Sequence, residues 1–201
     1  MSGEAQVTIF NTPILSALLH HLTKLVMKLA GWRVEGKLPE IPKFILIGAP
    51  HTSNWDFVLF LGVIFTLRAN VRFMGKAELF RSPIGFFFRY CGGIPVDRSK
   101  ATGLVDQMVQ AVRESNRFIL TIAPEGTRHH VQAWKRGFYH IAKGAGIPIV
   151  IAVVDGKHKT VRVGQVFQPT EDMEADMKTI QGFFKGVMGI NPRRKYIPLN
   201  S

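Results

Sequence analysis

The chain of 201 residues has one cysteine, Cys91, so an internal disulfide and a cysteine-rich zinc site are both excluded. A reducing compartment is the simplest fit to that scarcity. Long apolar runs are also missing. The longest that could be helical, Phe57 to Leu67, falls well short of the roughly 20 residues a membrane span needs. If the chain meets a membrane, it is expected to lie on it. The stretch Met1 to Phe10 contains Glu4 and no Lys or Arg, so no secretory leader is expected. Acidic residues are few: 14 Asp and Glu face 26 Lys and Arg, a formal net charge of +12. That excess favours polyanionic partners such as lipid headgroups, phosphorylated ligands, acidic carrier proteins or nucleic acid. With 46% hydrophobic residues and a mean hydropathy of +0.10, a membrane surface fits better than nucleic acid, and no nucleic-acid module is recognisable. There is no repeat, low-complexity segment or linker.

Apolar strand-like runs alternate with helical periodicities from Val34 onward. This pattern predicts one three-layer α/β domain over 34–201, its central sheet mostly parallel or mixed and flanked by helices. Residues 1–33 form a separate N-terminal segment. Thr12-Pro13 is a helix start, with a capping hydroxyl and proline at the first helical position. Leu15, Leu18, Leu22, Leu25 and Leu29 then recur at helical spacing among His20, His21, Lys24 and Lys28. Such a stripe suits an interfacial helix, its leucines at the acyl boundary and its lysines at headgroups. It equally suits a helix packed on the core, with His20 and His21 at the surface.

Three strand-end turns carry chemistry: His51 to Asp56, Asp97-Arg98, and Glu125 to Arg128. In a parallel sheet these ends converge on one edge. A histidine held by a carboxylate is a general-base unit. Arginine forks match phosphate oxygens, and glycine lets an anion approach the main chain. The set therefore fits deprotonation of a hydroxyl on a phosphorylated small molecule. Other readings of the same residues are weaker. Ser53 lacks the GxSxG elbow of a serine hydrolase and reads as a helix cap. Cys91 reads as a small buried hydrophobe. His129 and His130 have no second cluster with which to hold a metal, and no metal is expected. Arg128 could merely pair with Glu125, and Arg193 to Lys195 reads as a solvated tail.

His51-Thr52-Ser53-Asn54-Trp55-Asp56 resembles the HxxxxD motif of the glycerolipid and lysophospholipid acyltransferase family. Gly93-Ile94-Pro95-Val96-Asp97-Arg98, Pro124-Glu125-Gly126-Thr127-Arg128 and Gly146-Ile147-Pro148-Ile149-Val150 resemble its next three blocks, in order, across residues 44–154. The resemblance implies a domain over 34–201 that moves a fatty acyl group to a lysophospholipid hydroxyl. Above all it points to 1-acylglycerol-3-phosphate as acceptor, giving phosphatidic acid. The donor would be a thioester, acyl-CoA or acyl carrier protein, acting as co-substrate with no cofactor. His51 would be the base and Asp56 its orienter. Lys76, Arg98, Glu125, Gly126, Thr127 and Arg128 would hold the acceptor, mainly by its phosphate. Phe57 to Leu67 and Phe86 to Phe88 would line the acyl chain. The expected place is the cytoplasmic face of a membrane, peripheral or monotopic, with residues 1–33 as the anchoring helix. Ala123, His129 and Ile94-Pro95-Val96 depart from the family's usual residues, all beside the acceptor. Another glycerolipid acceptor remains open, as does a non-catalytic anionic-lipid binding protein.

Overall fold

Between Lys43 and Pro50 the chain carries no charge, and its side chains alternate between two covered faces. This makes it a central strand, buried on both sides. It is β2 (Lys43–Ala49), in a computed structural model that describes residues 7–97, 103–129 and 131–192. The other elements, in chain order, are α1 (Pro13–Leu29), β1 (Arg33–Gly36), α2 (Trp55–Thr66), β3 (Arg72–Lys76), α3 (Ala77–Arg81), α4 (Gly85–Tyr90), β4 (Gly93–Val96), α5 (Leu104–Glu114), β5 (Phe118–Ile122), α6 (Gly137–Ala145), β6 (Ile149–Asp155), β7 (Thr160–Phe167) and α7 (Met173–Gly182).

Seven strands form one sheet in the order β1-β7-β6-β2-β5-β3-β4. Every neighbouring pair is parallel except β6 and β7, which form an antiparallel hairpin. Because side chains alternate along a strand, β2 feeds two cores. Ile45, Ile47 and Ala49 pack with Met108 and Val112 of α5, Phe138 and Ile141 of α6, and Met177 and Ile180 of α7. Phe44 and Leu46 pack on the opposite face with Met27 of α1 and Leu59, Val63 and Ile64 of α2. The expected three-layer α/β domain is therefore the one present. Phe184, in the turn after the helix, and Val187, just beyond that turn, continue the apolar spacing of α7, and both are still buried.

Two expectations for α1 are corrected. Thr12 stands at the N-cap position, but its hydroxyl donates to the Thr8 carbonyl (2.9 Å) and meets Tyr90 Oη (2.9 Å) instead of capping the helix. His20 is not at the surface. It is 8% exposed, and its Nδ1 lies 2.8 Å from the Phe65 carbonyl at the end of α2. The face turned to the protein is that of Ser16, His20, Thr23 and Met27, whereas Leu18, Leu22, Leu25 and Leu29 are all exposed. The leucine stripe thus points away from the core. No described helix is long and apolar enough to cross a membrane.

Candidate active site

β2, β5 and β6 run parallel with Ile47 opposite Ile122 and Ala49 opposite Val153, so their C-terminal ends lie level at one edge. Three residues past Ile122 comes Glu125, and four past Ile47 comes His51. The register alone brings these two side by side although they are far apart in sequence. β3 ends at Lys76, opposite Val96 of β4, on the same edge.

The His51 turn is held by side-chain acceptors on both sides. Asp56 Oδ2 takes the backbone N–H groups of Thr52 and Ser53, each at 2.7 Å, and lies 2.8 Å from His51 Nδ1. Asp56 sits in the first turn of α2, where the helix dipole favours its negative charge. The His51 side chain is 30% exposed and that of Asp56 only 11%. With Nδ1 committed to the carboxylate, Nε2 is the nitrogen left to exchange a proton, and it has no hydrogen-bond partner among the described residues. Ser53 Oγ accepts the Trp55 N–H at 3.2 Å, a local bond at the helix start.

Glu125 is 5% exposed, and its Oε1 accepts the His51 backbone N–H at 2.9 Å. Its Oε2 is buried with no hydrogen-bond partner among the described residues, as is Asp56 Oδ1. Burial is the main cause that pushes the Glu125 carboxyl group up from the usual range. The backbone N–H groups of His51 and of Glu125 itself and the His51 charge pull it down, and the nearby Asp56 charge adds to the rise. After Glu125 the chain turns through Gly126 at φ +65°, where a Cβ would stand 2.8 Å from Lys135 Cδ. A side chain there would be strained by φ and would collide with the lysine stem, so glycine is required. Thr127 is half-buried, and Arg128 is exposed at the mouth of the turn.

The structure therefore joins His51, Asp56 and Glu125 by direct contacts and sets Gly126, Thr127 and Arg128 on the adjoining turn. Lys76 is exposed on the same edge, at the last position of β3. Asp97 is exposed just past β4, and Arg98 lies outside the described residues, as does the tail Arg193 to Lys195. Four residues at the site, Lys135, Thr52, Gly189 and Asn191, are not assigned to it by the sequence. Lys135 packs its stem against Gly126. Thr52 is buried, and its Oγ1 accepts the Asn191 N–H at 3.0 Å. Gly189 also packs on Thr52, since a Cβ there would come within 2.4 Å of Thr52 Oγ1. Only the rule that each helix after a strand starts at the same edge points to Lys135, and no local pattern marks Asn191.

Beside the turn, Phe57 of α2 meets Phe73 of β3 (5.4 Å between centroids) and Phe88 of α4 (5.5 Å). Phe60, Phe80 and Phe87 extend this cluster. Phe86 is 74% exposed, as expected where three consecutive aromatics cannot share one helix face. Cys91 is fully buried, and its thiol is pushed up to about 11 by desolvation, so it is no nucleophile at neutral pH.

Comparison with known proteins agrees with this arrangement. A family model described as Acyltransferase matches residues 32–155. The chain is 30% identical over 147 residues to the 1-acyl-sn-glycerol-3-phosphate acyltransferase of Haemophilus influenzae, covering 68% of this chain and 60% of that protein. It is 30% identical over 122 residues to the enzyme of the same name from Streptococcus pneumoniae, covering 60% of this chain and 45% of that one. The chain thus spans 60% or less of the length of these curated relatives. The crystal structure of the 1-acyl-sn-glycerophosphate (LPA) acyltransferase, PlsC, from Thermotoga maritima superposes with a TM-score of 0.59 at 19% identity, over 85% of this chain and 77% of that one, a likeness of fold. With the family model covering the sheet from before β1 to the end of β6, and with it every strand end that carries the site, the chain belongs to the acyltransferase family.

Proposed function

We propose that the chain is an O-acyltransferase that moves a fatty acyl group from a thioester to the free hydroxyl of a lysophospholipid. The acceptor to be tried first is 1-acylglycerol-3-phosphate, which would give phosphatidic acid. The reading rests on one observation: His51 has Nδ1 fixed on Asp56, with Nε2 left over beside the cationic turn that ends in Arg128. The named relatives support the choice of acceptor.

In this mechanism Nε2 takes the proton of the acceptor hydroxyl. The hydroxyl oxygen attacks the thioester carbonyl, the C–S bond breaks, and the departing sulfur receives the proton from the imidazolium. Asp56 stabilises that imidazolium, and base catalysis of this kind contributes about 10²–10⁴-fold. Gly126, Thr127, Arg128, Lys135 and Lys76 form the cationic rim for the acceptor's phosphate, and Arg98 is proposed as a further phosphate ligand from its motif alone. The thioester is acyl-CoA or acyl carrier protein, and its chain lies along the phenylalanines of α2 and α4. The outward leucines of α1 seat the protein on an anionic membrane surface at the cytoplasmic face. Leaving each in water forgoes roughly 1.5–3 kcal/mol of burial, and no core residue covers them.

The test is acyl transfer by purified protein from acyl-CoA and from acyl carrier protein to lysophosphatidic acid and other lysolipids. Turnover with lysophosphatidic acid supports the proposal, and inactivity across all acceptors with both donors would sink it. The same leucines favour one competing reading, a non-catalytic anionic-lipid binding protein. It predicts vesicle binding without turnover.

A further inference from the structure

The resemblance implies that Glu125 is an acceptor ligand, yet its position argues otherwise. At 5% exposure it sits beneath the site. A carboxylate beside a phosphate would repel it. One of its oxygens is already engaged, at 2.9 Å, by the backbone N–H of the residue that carries the imidazole. We propose that Glu125 is a positioning residue: its buried carboxyl group holds the main chain of His51 in place for catalysis, and it needs no charge to do so.

The base is then fixed at two points on opposite sides. Asp56 holds the ring through Nδ1, and Glu125 holds the backbone from which the ring projects. Neither point alone fixes Nε2. A ring held only at Nδ1 could pivot with its main chain, and a main chain held only at N–H would leave the ring free to turn about χ1. Glu125 is also the first residue of the turn that ends in Arg128, so one side chain couples the base turn to the cationic turn. The tether asks only for an acceptor oxygen, which Oε1 supplies, while Oε2 has no hydrogen-bond partner among the described residues. Burial and the Asp56 charge raise the carboxyl group's affinity for a proton, against the His51 and Glu125 backbone N–H groups and the His51 charge, which lower it. A glutamine has the same shape and the same acceptor oxygen, so it can replace the glutamate in this role.

This inference rests on His51 being the base, so the test has one arm that needs no turnover. Amide hydrogen exchange of His51 is followed by NMR in the full chain for wild type, Glu125→Gln, Glu125→Met and Glu125→Ala. The alanine and methionine variants should speed His51 exchange about tenfold or more, and Glu125→Gln should restore most of the protection. In acyl transfer, alanine and methionine should lower kcat about 10²-fold with the acceptor KM little changed, and glutamine should recover most of kcat. The methionine variant keeps the side-chain volume should alanine fail to fold. His51 exchange unchanged in the methionine variant would overturn the tether. Glutamine as damaging as methionine would overturn the uncharged role, and a loss confined to acceptor KM would restore Glu125 as a ligand. If no acyl transfer is found in any variant, the exchange arm still decides the tether, and the failure belongs to the proposed function.

Discussion

The backbone N–H of Asn191 lies 3.0 Å from Thr52 Oγ1, joining the segment after α7 to the turn that carries His51. Nearby, the Gly156 N–H donates to the Met188 carbonyl at 2.7 Å, so this segment is fastened both to the end of β6 and to the His51 turn. Thr52→Val keeps the shape of the side chain and removes the acceptor. It should cost about 1 kcal/mol in urea unfolding, because the part-buried Asn191 N–H loses this hydrogen bond. Thr52→Ser keeps the hydroxyl and should cost less than half of that. A larger loss in Thr52→Ser than in Thr52→Val would show that the methyl group, not the hydrogen bond, matters.

Asp56→Asn separates loop geometry from charge. A single amide oxygen can still accept the Thr52 and Ser53 N–H groups, but the imidazolium loses its counter-charge. Turnover should fall about 10²–10⁴-fold while the melting temperature changes little. His51→Ala should abolish turnover with the fold retained. Survival of most activity in either variant would remove these residues from the mechanism.

Glu125 gives stability a pH dependence of definite sign. Its folded-state carboxyl group titrates above its unfolded value, chiefly through burial, with His51 and Asp56 as the charged groups facing it. The folded state therefore holds its proton more tightly than the unfolded one. The associated stability is complete below the unfolded value, near pH 4.3, and is lost as pH rises through the folded value. Glu125→Gln cannot ionise. Its melting temperature relative to wild type should rise between pH 4 and pH 8, and a flat or falling difference would contradict the burial argument.

The outward stripe of α1 is open to direct measurement. Leu22→Gln with Leu25→Gln removes two exposed apolar side chains (50% and 54% exposed) and touches no core residue. Co-sedimentation with vesicles rich in phosphatidylglycerol should weaken at least about tenfold, a loss of roughly 1.4 kcal/mol or more. Unchanged binding would remove α1 from the membrane contact.

Legibility in the sequence followed the range of the interaction that decides each feature. Thr160 to Phe167 and Leu104 to Glu114 stand out because alternation and helical spacing are local, and the structure places β7 and α5 there. The convergence of His51 with the Glu125 turn was also readable, since parallel strands share an edge. What failed depended on docking. Five leucines and two histidines in α1 do not say which face meets the protein. α2 presents the Phe65 carbonyl, which takes the Arg68 N–H at 3.2 Å and has a second lone pair that His20 can engage and a leucine could not. Trp134, just before α6, packs on Phe138 and Phe184, a contact that also depends on docking. The buried location of Glu125 follows from register and could not be read from its motif.

One reversed strand pair decides where α1 finishes. β7 runs against β6, so it starts at the reaction edge, and β1, paired parallel with it, starts there too. Lys159, in the hairpin turn, donates its ammonium to the Ala30 carbonyl at 3.0 Å, and its own carbonyl accepts the Arg33 N–H at 2.9 Å. Were β7 parallel to β6, those anchors would lie at the far end of a seven-residue strand, roughly 20 Å away. The reversal makes the distance from the last turn of α1 to His51 a property of a rigid scaffold instead of a tether. Whatever α1 grips is thereby held at a fixed reach from His51.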